Sequence, residues 1–167
     1  MAAVALAQAR DTGSAEKLAA KLDKDFPLDT LVQRYWLPVI RAAIVLQRKD
    51  PNRAIELLEV ASPIELAGGP NISNDGIWPA YVRGEAYLML HDGNRAAAEF
   101  QKYIDHRGLV RNLQIGMLGR LGLARAYAMQ GDITKSRAAY QEFLTTWKDA
   151  DPDIPILIHA KAEYAKL

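Results

Sequence analysis

One short pattern recurs four times along the chain, and it constrains the fold more than any other feature. The copies are Arg10-Asp11-Thr12-Gly13-Ser14-Ala15, Lys49-Asp50-Pro51-Asn52-Arg53-Ala54, His91-Asp92-Gly93-Asn94-Arg95-Ala96 and Gly131-Asp132-Ile133-Thr134-Lys135-Ser136. Each holds an Asp followed four residues later by a small residue. The Asp positions are 11, 50, 92 and 132, so the spacings are 39, 42 and 40. Self-similarity at such a period marks a row of supersecondary units that bury their apolar faces on one another.

The register extends to both sides of each Asp. Eight residues before it stands a small residue: Ala3, Ala42, Gly84 or Ala124. Five before it stands Leu6, Val45, Tyr87 or Tyr127, and eight after it Ala19, Leu58, Phe100 or Tyr140. Small residues let two helices approach closely, and the larger ones fill the space beside them. Each unit therefore reads as two helices joined at the Asp.

Composition agrees. Alanine, the best helix former, supplies 27 of the 167 residues, and Val, Ile and Thr never cluster in period-2 runs. Half the residues are apolar, which is enough for a core and too many for a disordered chain. The 21 Lys and Arg balance 20 Asp and Glu, which gives no basic footprint for nucleic acid or anionic lipid. With no cysteine there is no disulfide, thiol nucleophile or zinc–thiolate site, and the compartment stays open between cytoplasm and an extracytoplasmic space. No apolar run reaches the roughly 18–20 residues of a membrane span. Met1–Ala9 lacks the basic start of a signal peptide.

Helices are expected over about 2–10, 14–25 (capped by Ser14), 30–49 (capped by Thr30), 51–61, 78–91, 94–106, 113–130, 133–147 and 155–166. Pro38 falls inside the third and predicts a kink or a fresh start there. The stretches 62–76 and 107–112 read as connections. Asp153 is the expected cap of the last helix, which has no partner and would cover the apolar end of the row.

This arrangement resembles the tetratricopeptide repeat, a helix–turn–helix unit of about 34 residues. Gly84, Tyr87, Asp92, Ala96 and Phe100 match its pattern in one copy, and Ala124, Tyr127, Gly131, Asp132, Ser136 and Tyr140 in the next. The first two copies lack both aromatics, and the longer period implies lengthened helices or connections. The resemblance implies an all-α right-handed solenoid forming one domain over 1–167. Its repeats would lie at about 1–27, 30–62, 77–107 and 113–148, with a capping helix at 154–167. In that register about one turn is missing from the first helix, so the chain is expected to be a piece of a longer protein.

Chemical motifs are absent. His91, His106 and His159 are dispersed with no metal-ligand spacing, and none of the four serines sits in a Gly-x-Ser-x-Gly elbow. Gly116, Gly119 and Gly122 recur every third residue without the Gly-Lys-Ser/Thr ending of a phosphate loop, so they read as a stripe that admits a neighbouring helix. Asp149, Asp151 and Asp153 alternate, but Ala160 stands where a calcium loop needs Glu. No metal, no cofactor and no catalytic residue is expected.

The resemblance implies instead a groove on the first helix of each pair, with candidate residues Trp36, Val39, Trp78, Tyr81, Glu85, Met89, Leu121, Arg125 and Met129. Ala43, Leu46, Gln47, Leu88, Leu118 and Ala128 fall in the same register. Aromatic and Met side chains there suit a peptide or helix. The basic and Asn residues that clamp a C-terminal carboxylate in some family members are missing: Tyr81, Val82, Leu121 and Gly122 stand in their places, and Arg125 is the lone base. The same residues read equally as packing against the last helix or the 62–76 connection. The expected function is a non-catalytic module binding a protein or peptide segment, with self-association of parent chains as the alternative. The stretches Phe26–Gln33, Tyr81–Leu88 and Asp151–Leu157 also look like the C-terminal repeat regions of bacterial (acidobacterial) eukaryote-like serine/threonine kinases. Under that likeness the parent is a signalling kinase, although this chain holds no kinase motif; His106-Arg107-Gly108 lacks the catalytic Asp.

Overall fold

The computed structural model describes residues 2–67, 77–110 and 114–167. Among these residues every regular element is helical: α1 (Ala2–Gln8), α2 (Thr12–Asp25), α3 (Leu37–Gln47), α4 (Pro51–Leu58), α5 (Trp78–Met89), α6 (Gly93–Asp105), α7 (Arg107–Val110), α8 (Gln114–Met129), α9 (Ile133–Thr146) and α10 (Pro155–Tyr164). A π turn over Val32–Trp36 precedes α3, and a 3₁₀ turn over Glu59–Ala61 follows α4. Residues 68–76 of the expected 62–76 connection lie outside the described residues, as do 111–113.

The repeated Asp performs two tasks at once. The residue before it has a left-handed backbone in all four copies, with φ of 66° at Arg10, 66° at Lys49, 56° at His91 and 77° at Gly131. That conformation closes one helix by donating backwards. The N–H groups of Asp11, Asp50, Asp92 and Asp132 reach the carbonyls of Leu6, Val45, Tyr87 and Tyr127, five residues back. The Asp carboxylate then opens the next helix by accepting from the N–H three residues on. The distances are 3.1 Å from Ser14, 3.1 Å from Arg53, 2.9 Å from Arg95 and 3.1 Å from Lys135. The cap of α2 is therefore Asp11, and Ser14 supplies the donor, contrary to expectation.

Two other expected caps also differ. Asp29, not Thr30, caps the third helix by accepting from the Val32 N–H at 2.9 Å. The cap position of α10 is Ile154, which makes no side-chain bond, so Asp153 does not serve there. Pro38 stands in the first turn of α3, which begins at Leu37 directly after the π turn, so the expected fresh start is found there. The π turn ahead of it sends the Leu37 N–H to the Val32 carbonyl, five residues back. This wider turn makes room for a ring that would strike the carbonyl four residues earlier in a regular α-turn. The expected connection 107–112 begins as the short helix α7.

The helices pack in a repeating order. The first helices of the pairs touch in sequence: α1 on α3, α3 on α5, α5 on α8. Each second helix sits against its own partner and the next first helix: α2 on α1 and α3, α4 on α3 and α5, α6 on α5 and α8. The register columns explain this order. Ala15, Ala54, Ala96 and Ser136 are all completely buried, as are Leu58 and Phe100, and Tyr140 nearly so. A Cβ on Gly84 would lie 2.6 Å from the Phe100 ring, and one on Gly122 2.5 Å from it, so the ring is held between α5 and α8. The glycine stripe of α8 is a packing groove: Gly122 lies under Phe100, Gly119 under Tyr103 and Gly116 under Val110. A smaller apolar cluster joins Leu121 and Ala124 of α8 to Tyr140 and Phe143 of α9 and Leu157 and Ala160 of α10.

Candidate binding groove

The first helices of the pairs share a cavity of about 470 Å³. Gln8 and Arg10 enter from the end of α1, Ala43, Leu46 and Gln47 from α3, Tyr81, Val82 and Glu85 from α5, and Leu118 and Arg125 from α8. The remaining wall is Pro155, Ile156 and His159 of α10. On α3, α5 and α8 the pairs Ala43/Leu46, Ala43/Gln47, Val82/Glu85, Tyr81/Glu85 and Leu118/Arg125 are spaced by three, four or seven, the intervals that keep side chains near one helix face.

Of the sequence candidates, Tyr81, Glu85 and Arg125 come together in this cavity. Val39 and Leu121 are buried in the packing beneath, and Trp78, 7% exposed, lies edge-on to Tyr81 at 6.2 Å. Trp36 is half-buried edge-on against Tyr35 at 5.0 Å. Met89 is half-buried against the core. Met129 lines a different hollow, beside His91, Gly93 and Gln130 at the α5–α6 turn. Packing of the groove residues against the last helix is the other reading the sequence allows, and α10 does form this wall; what the local spacing does not signal is that Pro155, Ile156 and His159 are the residues that line it.

Arg125 is already engaged. Its guanidinium donates to Glu163 of α10 through Nε at 2.9 Å and Nη2 at 3.1 Å, and the Tyr140 hydroxyl donates to the same carboxylate at 2.8 Å. Burial disfavours the Arg125 charge, but the bonds and charge of Glu163 outweigh it and hold the group protonated. Burial likewise raises the Tyr140 hydroxyl, and Glu163 raises it further.

Glu85 is in a different condition. Its Oε1 is shut off from solvent and has no hydrogen-bond partner. Burial pushes its carboxyl above the usual carboxylate range; Arg125 pulls it back in part and Glu163 pushes it further up. Tyr81 is raised well above its ordinary value by burial and by the charge of Glu85. Among the described residues no cluster of three or more His, Cys, Asp or Glu is placed to hold a metal ion, and no helix is long and apolar enough to cross a membrane. The cavity thus offers apolar walls, the Arg125 charge held in a closed pair, the exposed Arg10 and one acidic group with a bare oxygen.

No protein-family model, curated protein or solved structure matches the chain.

Proposed function

We propose that the chain is a non-catalytic binding module of the tetratricopeptide-repeat kind, a solenoid of four helical hairpins capped by α10, which holds a protein or peptide segment in the groove of its first helices. The observation that carries this reading is the cavity, to which α1, α3, α5 and α8 all contribute from one side. The four-fold turn at Asp11, Asp50, Asp92 and Asp132 supports the repeat reading, because one backbone geometry recurs in all four copies. The stretches similar to bacterial serine/threonine kinase repeat regions support a parent that is a signalling protein, in which this module docks or senses a partner. A non-catalytic role accords with a sequence that carries no nucleophile, base and acid in a known pattern.

The test is selection of short random peptides displayed on phage against the purified chain. Leu118 is half-buried and lines the cavity, so Leu118→Asp is expected to weaken selected peptides about tenfold or more while helicity by circular dichroism is kept. Failure to enrich any peptide, or equal binding by the variant, rejects the groove. The second reading is self-association, favoured by the exposed apolar side chain of Ile158 on α10. Sedimentation across the micromolar range separates the two: a binding module stays monomeric, and a concentration-dependent mass supports assembly.

A further inference from the structure

We infer that Glu85 is the specificity point of the groove and takes a lysine or arginine side chain of the bound segment. The inference rests on the groove reading above and adds the chemistry of the ligand.

The first ground is an unmet requirement. A carboxylate oxygen closed off from water needs a donor, and Oε1 of the half-buried Glu85 has none. The second is that the cation nearest in effect is committed elsewhere. Arg125 spends two N–H groups on Glu163, whose carboxylate also receives the Tyr140 hydroxyl. The three groups Glu85, Arg125 and Glu163 together leave one negative charge uncompensated. The other polar groups facing the cavity are Gln8 and Arg10 from α1, Gln47 from α3, Tyr81 on α5 and His159 from α10. None of them bonds to Oε1. Arg10 is exposed at the turn after α1, at the rim.

The third ground is shape. Ala43, Leu46, Leu118 and Ile156 give the cavity apolar walls around that acid. A long side chain with an aliphatic stem and a charged end matches such a site: the stem lies along the walls and the head meets the carboxylate. An acidic or purely apolar side chain would leave Glu85 without a partner. A cation at Glu85 also offsets the burial that now disfavours its charge.

The experiment uses short random peptides displayed on phage, selected in parallel on the native chain and on Glu85→Gln. Lys or Arg enriched at one peptide position on the native chain, and lost on the variant, is the expected result. A synthetic copy of the best peptide with that Lys replaced by norleucine is expected to bind the native chain about tenfold or more weakly. The side-chain carboxyl carbon of Glu85, followed by NMR, is expected to titrate at lower pH when the Lys peptide is bound than when the chain is free. Peptides enriched without a basic position overturn this inference and leave the groove standing, and so does a basic position that Glu85→Gln retains at equal affinity. If no peptide is enriched, the groove itself falls. Should Glu85→Gln fail to fold, the norleucine peptide and the carboxyl titration on the native chain decide: unchanged affinity and an unmoved titration reject the role of Glu85.

Discussion

Helix α5 carries two charged residues two positions apart, and they are treated in opposite ways. Arg83 points into a closed cluster: its guanidinium meets Glu65 at 2.5 Å and Glu99 at 2.9 Å, and Ser62 Oγ at 3.2 Å. Lys102 completes the ring, 2.7 Å from Glu65 and 2.8 Å from Glu99. Burial works against the Arg83 charge, and the bonds and charges of Glu99 and Glu65 overcome it. Glu85, about 200° further round the helix, faces the cavity with a bare oxygen. Buried charge is tolerated on one face because every group finds its opposite. On the other face one carboxylate oxygen is left open, and that open oxygen is the ground for the binding role proposed above.

The closed cluster also has a structural consequence. Glu65 and Ser62 follow α4, so the ring ties the segment after α4 to α5 and α6. Two tyrosines secure the start of α5 in the same spirit: Tyr103 donates to the Ile77 carbonyl, and the Trp78 N–H donates to Tyr35 at 3.2 Å.

If the contrast between the two faces is right, Arg83→Met gives the largest effect. It leaves Glu65 and Glu99 facing each other in a buried site with Lys102 as their sole cation among the described residues. A loss of about 3–5 kcal/mol in urea unfolding is expected; a loss below about 1 kcal/mol would show that the cluster is solvated like a surface pair.

Replacing the other charge should have the opposite sign. Glu85→Gln removes a half-buried carboxylate that has one bare, enclosed oxygen, and is expected to add about 1 kcal/mol near neutral pH. The folded-state pKa of Glu85 is raised, so its ionisation penalises the fold above the unfolded value and not below it. The gain from Glu85→Gln should therefore shrink as pH falls through the Glu85 titration, as urea unfolding at several pH values will reveal. A variant less stable than the native chain at neutral pH would mean that Glu85 has a partner inside the fold.

The smallest effect is expected from Glu163→Gln. It takes away a negative charge that raises Glu85 and frees Arg125 to turn toward it. The Glu85 carboxyl should then titrate closer to the ordinary carboxylate range by NMR. No change would show that Arg125 and Glu163 do not act on Glu85.

Some of this was legible before any coordinates. The columns four and eight residues after each Asp predicted buried residues, and Ala15, Ala54, Ala96 and Phe100 are buried, whereas Leu6, Val45, Tyr87 and Tyr127, five residues before it, are only half-buried. The glycine stripe of α8 was readable as a helix groove because spacing of three repeats one face. The caps were readable only in part. A Ser or Thr at the first helical turn looks like a cap, yet Asp11 and Asp29 lie one to three residues earlier and accept the bonds. Nor did the alphabet show that Arg10, Lys49 and His91 share the backbone of Gly131, since a left-handed turn normally asks for Gly. Pro38 signalled a kink or a fresh start, and α3 does begin one residue before it, but nothing in the sequence marked the π turn that leads into it.

By itself, the sequence determined what depends on near neighbours: helical content, four turns at an Asp, and the residues that interleave between adjacent helices. These follow from propensity, from hydrogen bonds over three to five residues, and from helical periodicity. Only the tertiary structure decided which charges meet. Arg83 and Glu65 are 18 residues apart, and Arg125 and Glu163 are 38 apart. Their pairing depends on where whole helices dock, and no local pattern encodes that. The fold brings Glu163 to Arg125 and brings nothing to Oε1 of Glu85.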